Sequence, residues 1–122
     1  MRNLDKKIII GAVVVAVLVL LGVFYYVGAN SAPIYSSPNS PVMYFYQDDC
    51  PHCIAMHPIM LDLGAQGYRV KLMDAQTNPA YWSQYNIVGT PTWVAANGDR
   101  LIGEQSEAAL QAWLNAHGAK IA

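Results

Sequence analysis

Cysteine is scarce in this chain of 122 residues: Cys50 and Cys53 are the only two, and both lie within one tetrapeptide. That spacing excludes a disulfide-stapled scaffold, because closing so short a loop removes almost no freedom from the unfolded chain. Basic residues are also few, with no lysine or arginine between Lys7 and Arg69. From about Pro38 onward Arg69, Lys71, Arg100 and Lys120 stand against Asp48, Asp49, Asp62, Asp74, Asp99, Glu104 and Glu107. This mildly acidic balance excludes the electrostatic footprint of a nucleic-acid or anionic-lipid binder. Charge of either sign is missing from Ile8 to Gly28.

That uncharged run is suited to a membrane. At ~1.5 Å per residue it forms a helix of roughly 31 Å, the thickness of a bilayer's hydrocarbon core. Arg2, Lys6 and Lys7 precede it, so the positive-inside rule places the N-terminus in the cytoplasm and the rest of the chain outside. Phe24-Tyr25-Tyr26 reads as an interfacial aromatic belt. Ala29-Asn30-Ser31-Ala32 offers small residues for signal-peptide cleavage, but the apolar run exceeds the usual length of such a signal, which favours a retained anchor. The expected organisation is a cytoplasmic stub over 1–7, a transmembrane signal-anchor over 8–28, an extended Ser/Asn/Pro-rich linker over 29–40 and one domain over 41–122.

Within that domain Val42–Gln47 reads as a strand and Pro51–Ala65 as a helix ended by Gln66-Gly67, with Pro58 expected to kink it. Tyr68–Met73 is a second strand, and Ala80–Tyr85 a short helix with Asn78 as N-cap and Pro79 at its first position. Thr92–Ala96 and Arg100–Gly103 are strands joined by the hairpin signal Asn97-Gly98. Glu107–Ala116 closes the chain as a helix capped by Ser106, with Ala109, Leu110, Trp113 and Leu114 on its buried face. The order is βαβαββα: an α/β domain with a parallel first strand pair, an antiparallel last pair and helices on both faces of one sheet.

The chemistry centres on Asp48-Asp49-Cys50-Pro51-His52-Cys53. A cysteine pair at a strand-to-helix junction can close a small disulfide ring, and the first thiol meets unpaired N–H groups and the helix dipole, both of which favour a thiolate. His52 adds a further positive influence, whereas Asp48 and Asp49 oppose it.

With Cys50-Pro51-His52-Cys53 after a strand, Pro58 eight residues after the first cysteine and Gly89-Thr90-Pro91-Thr92 before the hairpin, the chain resembles the thioredoxin superfamily from about Pro41 to Gly118. The resemblance implies a thioredoxin-like three-layer sandwich preceded by the single transmembrane helix. It implies Cys50 as exposed nucleophile, Cys53 as buried resolving thiol, Pro91 as a cis-proline facing the pair and Thr90 as a backbone contact for an extended substrate. It also implies no cofactor beyond the Cys50–Cys53 disulfide itself, and partners that are protein thiols or disulfides together with an extracytoplasmic or membrane redox partner. Pro51-His52 is the dipeptide of DsbA-like disulfide oxidases, which points to disulfide formation or isomerisation; an anchored reductase, as in cytochrome maturation, is the alternative. The helical insertion of those oxidases is absent from the short stretch between Met73 and Asn78, and Tyr44 stands where many members carry a buried acid.

A reading of another class takes Cys50, Cys53 and His57, with Met56 or Met60, as a soft set for Cu(I) or Zn(II). His57 itself reads as a surface or packed histidine, Met56, Met60 and Met73 as core filler, and Trp82, Trp93 and Trp113 as packing.

Overall fold

The computed structural model describes residues 2–30 and 32–122. The side chains of Arg2 and of the expected belt Phe24-Tyr25-Tyr26, and Ser31 of the small-residue stretch, lie outside the described ones. The chain divides into two units, Met1–Ala32 and Pro33–Ala122.

The first unit is one helix, α1, Arg2–Asn30. Its stretch Lys6–Val23 is long and apolar enough to cross a membrane. Side chains are exposed all along that stretch, so its apolar surface runs around the whole helix.

The second unit runs β1 (Val42–Tyr46), α2 (Pro51–Ala65), β2 (Lys71–Asp74), α3 (Tyr81–Gln84), β3 (Thr92–Ala95), β4 (Arg100–Ile102) and α4 (Glu107–Ala116). The strands form one mixed sheet in the order β2-β1-β3-β4. β1 is parallel to β2 and antiparallel to β3, which is antiparallel to β4. Period-two alternation along β1 sends Val42 and Tyr44 to one face and Phe45 to the other. On the first face they meet Met56, Met60 and Leu63 of α2, Leu110 and Leu114 of α4, and Trp93. On the second, Phe45, Met73 and Val94 meet Ile87 and the rings of Tyr81, Trp82 and Tyr85 around α3. The result is the expected three-layer sandwich.

Boundaries differ where backbone groups find other partners. Tyr68–Val70 does not belong to β2. Arg69 N–H donates to Ala119 O at 2.8 Å and Val70 N–H to Tyr35 O at 2.7 Å, so that stretch is tied to the C-terminal segment and to the residues before β1. Asn78 does not cap α3 but donates its side-chain amide to Asp74 O, and α3 begins at Tyr81 with no side-chain cap. α2 runs unbroken through Pro58. In α4, Leu110 and Leu114 are fully buried while Trp113 is half-buried and Ala109 exposed.

The segment expected as linker is in part domain. Compactness begins at Pro33. Tyr35 is 7% exposed and belongs to the main core, and Ser36 pairs with Val70. Gly64 permits this: a Cβ there would stand 2.8 Å from Ile34 Cγ2 and 3.0 Å from Tyr35 N. Composition rich in proline and serine reads as linker, but one aromatic ring buried in the core outweighs it.

Candidate active site

Cys50 is the N-cap of α2, in extended conformation, with Pro51 at the first helical position. Its sulfur accepts the Cys53 backbone N–H at 3.1 Å, the role an oxygen plays in an ordinary cap. The same sulfur lies 3.4 Å from both the carbonyl and the hydroxyl oxygen of Thr90. The Thr90–Pro91 peptide is cis, and Pro91 is fully buried. The topology makes this meeting: α2 springs from the end of β1, and the Thr90-Pro91 turn opens β3, the antiparallel neighbour of β1.

Both cysteines are free thiols. Burial acts to raise the Cys50 pKa, but hydrogen bonds from the Cys53 thiol, from Thr90 and from the backbone N–H groups of Cys53 and His52 outweigh it, and the net shift is downward. Cys53 goes the other way. Burial, with its hydrogen bond to the Cys50 sulfur adding to the effect, pushes its thiol up to about 11. One sulfur is prepared to be a thiolate and the other to hold its proton.

Two expectations change in this geometry. Cys50 is 8% exposed and Cys53 7%, so Cys50 is not the openly exposed thiol expected; Thr90 covers it. The His52 ring does not bond the Cys50 sulfur. Its Nδ1 lies 2.6 Å from Oε1 of Glu104, and both side chains are largely exposed. What His52 gives to Cys50 is its backbone N–H.

Several residues around the pair carried no sequence signal. Gln76 Oε1 accepts the backbone N–H groups of Asp48 at 2.8 Å and Asp49 at 3.3 Å, holding the approach to the cysteines. Gln47 Oε1 lies 3.2 Å from the Thr90 hydroxyl. Glu104, just past β4, is brought to His52 only by the hairpin. A template of the fold could have placed it; local spacing could not.

On the Cys53 side lies a cavity of about 480 Å³, walled by Tyr35, Tyr44, Tyr46, Asp48, Cys53 and His57 among others. Tyr44, at the position of the family's buried acid, stacks on Trp93 with centroids 4.9 Å apart. Burial raises its phenol pKa far above the ordinary range, with Cys53 adding to the shift. His57 Nδ1 lies 3.4 Å from the Tyr35 hydroxyl.

The metal reading finds no built site. Among the described residues no group of three or more His, Cys, Asp and Glu side chains is placed to hold a metal ion. Met56 is 1% exposed in the core, its sulfur accepting the Gln105 N–H at 3.4 Å.

A family model described as thioredoxin matches residues 30–116. The chain belongs to the thioredoxin family. Among solved structures, a thioredoxin variant from Halobacterium salinarum NRC-1 is 23% identical, over 76% of this chain and 98% of that one, with a TM-score of 0.58. The thioredoxin of Trypanosoma brucei brucei is 19% identical over 68% and 78% of the two chains (TM-score 0.55), and that of Malassezia sympodialis 20% over 70% and 81% (TM-score 0.54). At these identities the likeness speaks for the fold. No curated protein sequence matches. The thioredoxin-family domain thus carries a C-x-x-C pair at the N-terminus of α2, its first helix.

Proposed function

We propose that the chain is a membrane-anchored thiol–disulfide oxidoreductase that works outside the cytoplasm on protein cysteines. The Cys50 thiolate attacks a substrate disulfide, or the Cys50–Cys53 disulfide is attacked by a substrate thiolate; the mixed disulfide forms at Cys50 and Cys53 resolves it. Thr90 and Pro91 line the place where an extended substrate chain lies. Residues 8–28 are the anchor, with the N-terminus cytoplasmic as the flanking charges require. The observation that carries this reading is the Cys50 sulfur in the capping position, 3.1 Å from the Cys53 N–H and 3.4 Å from Thr90.

The direction follows from which redox form is stabilised. A Cys50 pKa held below the ordinary thiol value stabilises the dithiol form and favours giving the disulfide away. Together with the Pro51-His52 dipeptide, this supports disulfide formation or isomerisation as the leading direction. The second reading, an anchored reductase, is favoured by the pairing of His52 with Glu104, which places a carboxylate beside the imidazole that distinguishes the oxidase motif.

The test is equilibration of the full chain, in detergent, against glutathione buffers, with turnover of a disulfide substrate measured alongside. A reduction potential near about −120 mV supports the oxidase and one near about −270 mV the reductase. Turnover that survives Cys50→Ser overturns the oxidoreductase reading itself.

A further inference from the structure

Cys53 must lose its proton before it can resolve a mixed disulfide, and the site lacks the buried acid through which that proton would leave. Tyr44 fills the position, and burial keeps it, like Tyr35, a neutral phenol, which can pass a proton on but cannot be its final acceptor. The cavity behind Cys53 supplies a different route. It is large enough for several waters, and its wall contains polar groups contributed by each element around it. These are Tyr35 from the segment before β1, Tyr44 and Tyr46 from β1, Gln47 and Asp48 from the loop after β1, and Cys53 and His57 from α2. Cys53 and His57 are four residues apart on one helix and therefore share a face. The Tyr35 hydroxyl and the imidazole meet on the cavity wall, the Tyr35 oxygen 3.4 Å from His57 Nδ1. Tyr35 is buried while His57 is open to solvent, so a proton reaching the imidazole can leave for bulk water.

We infer that His57, reached through Tyr35 and water in this cavity, is the proton acceptor for Cys53 in the resolving step. The inference rests on the oxidoreductase reading above. Cys50 thiolate attacks a substrate disulfide, and one substrate sulfur leaves as a thiolate while the other remains bonded to Cys50. The Cys53 S–H proton passes to cavity water, the water's proton to Tyr35 Oη, and the Tyr35 O–H proton to His57 Nδ1. The Cys53 thiolate then attacks the Cys50 sulfur. The Cys50–Cys53 bond forms, the mixed disulfide breaks, and the second substrate thiolate leaves. Two electrons have moved from the cysteine pair to the substrate disulfide, and the imidazolium returns its proton to solvent or to a leaving thiolate. In the opposite direction the imidazolium protonates Cys53 as it is released. A histidine suits the task because its side-chain type exchanges protons near neutral pH.

The test is stopped-flow reaction of the fully reduced full chain, in detergent, with dithiobis-nitrobenzoate. Attack by Cys50 releases one coloured thiolate and resolution by Cys53 releases the second. His57→Asn, which keeps a polar group at an exposed position, and Tyr35→Phe, which keeps the ring, are both expected to leave the first phase unchanged. Each is expected to slow the second by about 10²-fold. The double variant should be no slower than either single one, as for residues acting in series. The defect should shrink as pH rises, because hydroxide then ionises Cys53 unaided; a merely structural role for either residue would not produce that recovery. Absence of the first phase in the unaltered protein would overturn the oxidoreductase reading. A normal first phase followed by a second phase at the unaltered rate in His57→Asn overturns the relay alone. So does a slowed second phase in Asp48→Asn with none in His57→Asn, since Asp48 would then be the acceptor.

Discussion

Nδ1 of His52 and Oε1 of Glu104 lie 2.6 Å apart although 52 residues separate them in the chain. The pair stands at the first turn of α2, beside Cys50, and its carboxylate offsets the field that an imidazolium would place on the sulfur. Glu104→Gln removes the negative charge and should shift the glutathione equilibrium toward the dithiol by about two- to fivefold, the modest size expected of an exposed pair. His52→Gln leaves the Glu104 carboxylate without its imidazole partner and should shift the equilibrium the other way. Redox titration of both variants checks the opposed signs.

The two thiols should separate in pH. Cys50, with its pKa lowered, should react with iodoacetamide at a pH below that of an ordinary thiol, while Cys53, pushed up to about 11, should stay unreactive through neutral pH. Cys53→Ser should retain the fast thiol and trap mixed disulfides. For stability of the reduced protein the signs differ. Cys50, being depressed, contributes stability that is present above the ordinary thiol pKa and lost as pH falls through its folded value. Cys53, being raised, contributes stability that is lost as pH rises from about 8.5 toward about 11. Mass spectrometry of alkylated peptides across a pH series reads the separation.

A second histidine pair fastens the end of α4 to the hairpin. His117 Nε2 is 2.9 Å from Asp99 Oδ2, and His117 Nδ1 is 2.7 Å from Trp113 O. The hydrogen bond to Asp99, then that to the Trp113 carbonyl, raises the His117 pKa. Hydrogen bonds from His117 and Asn97 lower that of Asp99. His117 therefore contributes stability that is full below about pH 6.5 and fades as pH rises through its folded value. Asp99 contributes above about pH 3.9 and fades on acidification. The thermal midpoint should be best supported between these limits, and Asp99→Asn should flatten its decline from pH 6 to 8.

Gly67 has φ of +100°, and a Cβ there would collide with the Ala122 carbonyl. Gly67→Ala should cost about 1–3 kcal/mol, more than Gly98→Ala, which shares a positive φ but has open space around it. Urea midpoints of the two variants check the order.

The domain's true start can be tested by length. A fragment beginning at Pro33 keeps Tyr35 in the core and Ser36 on Val70. One beginning at Pro41 loses both and should be less stable by about 3–5 kcal/mol, the range for deleting a core aromatic. Denaturation of the two fragments decides it.

By itself, the sequence determined whatever depends on neighbours along the chain. Ile8 to Gly28 without a charge dictates an apolar helix. Pro51 after Cys50, Gly67 after Gln66, Asn97-Gly98 and Ser106 before Glu107 set where elements begin and turn, because caps, turns and proline act within a few residues. The C-x-x-C spacing placed the two sulfurs on one helical turn. Tertiary structure alone decided what each side chain near them faces. His52 reads as the partner of Cys50 until the hairpin delivers Glu104, and Tyr35 reads as linker until Gly64 lets its backbone approach α2. Tyr68 to Val70 reads as strand until the C-terminal segment and the residues before β1 take its backbone groups. These are competitions among groups distant in sequence, settled by which pairing buries or satisfies more. His57 belongs with them: in the sequence it is a histidine one turn beyond Cys53, and only the fold brings the Tyr35 hydroxyl to its ring on the wall of the cavity behind that thiol.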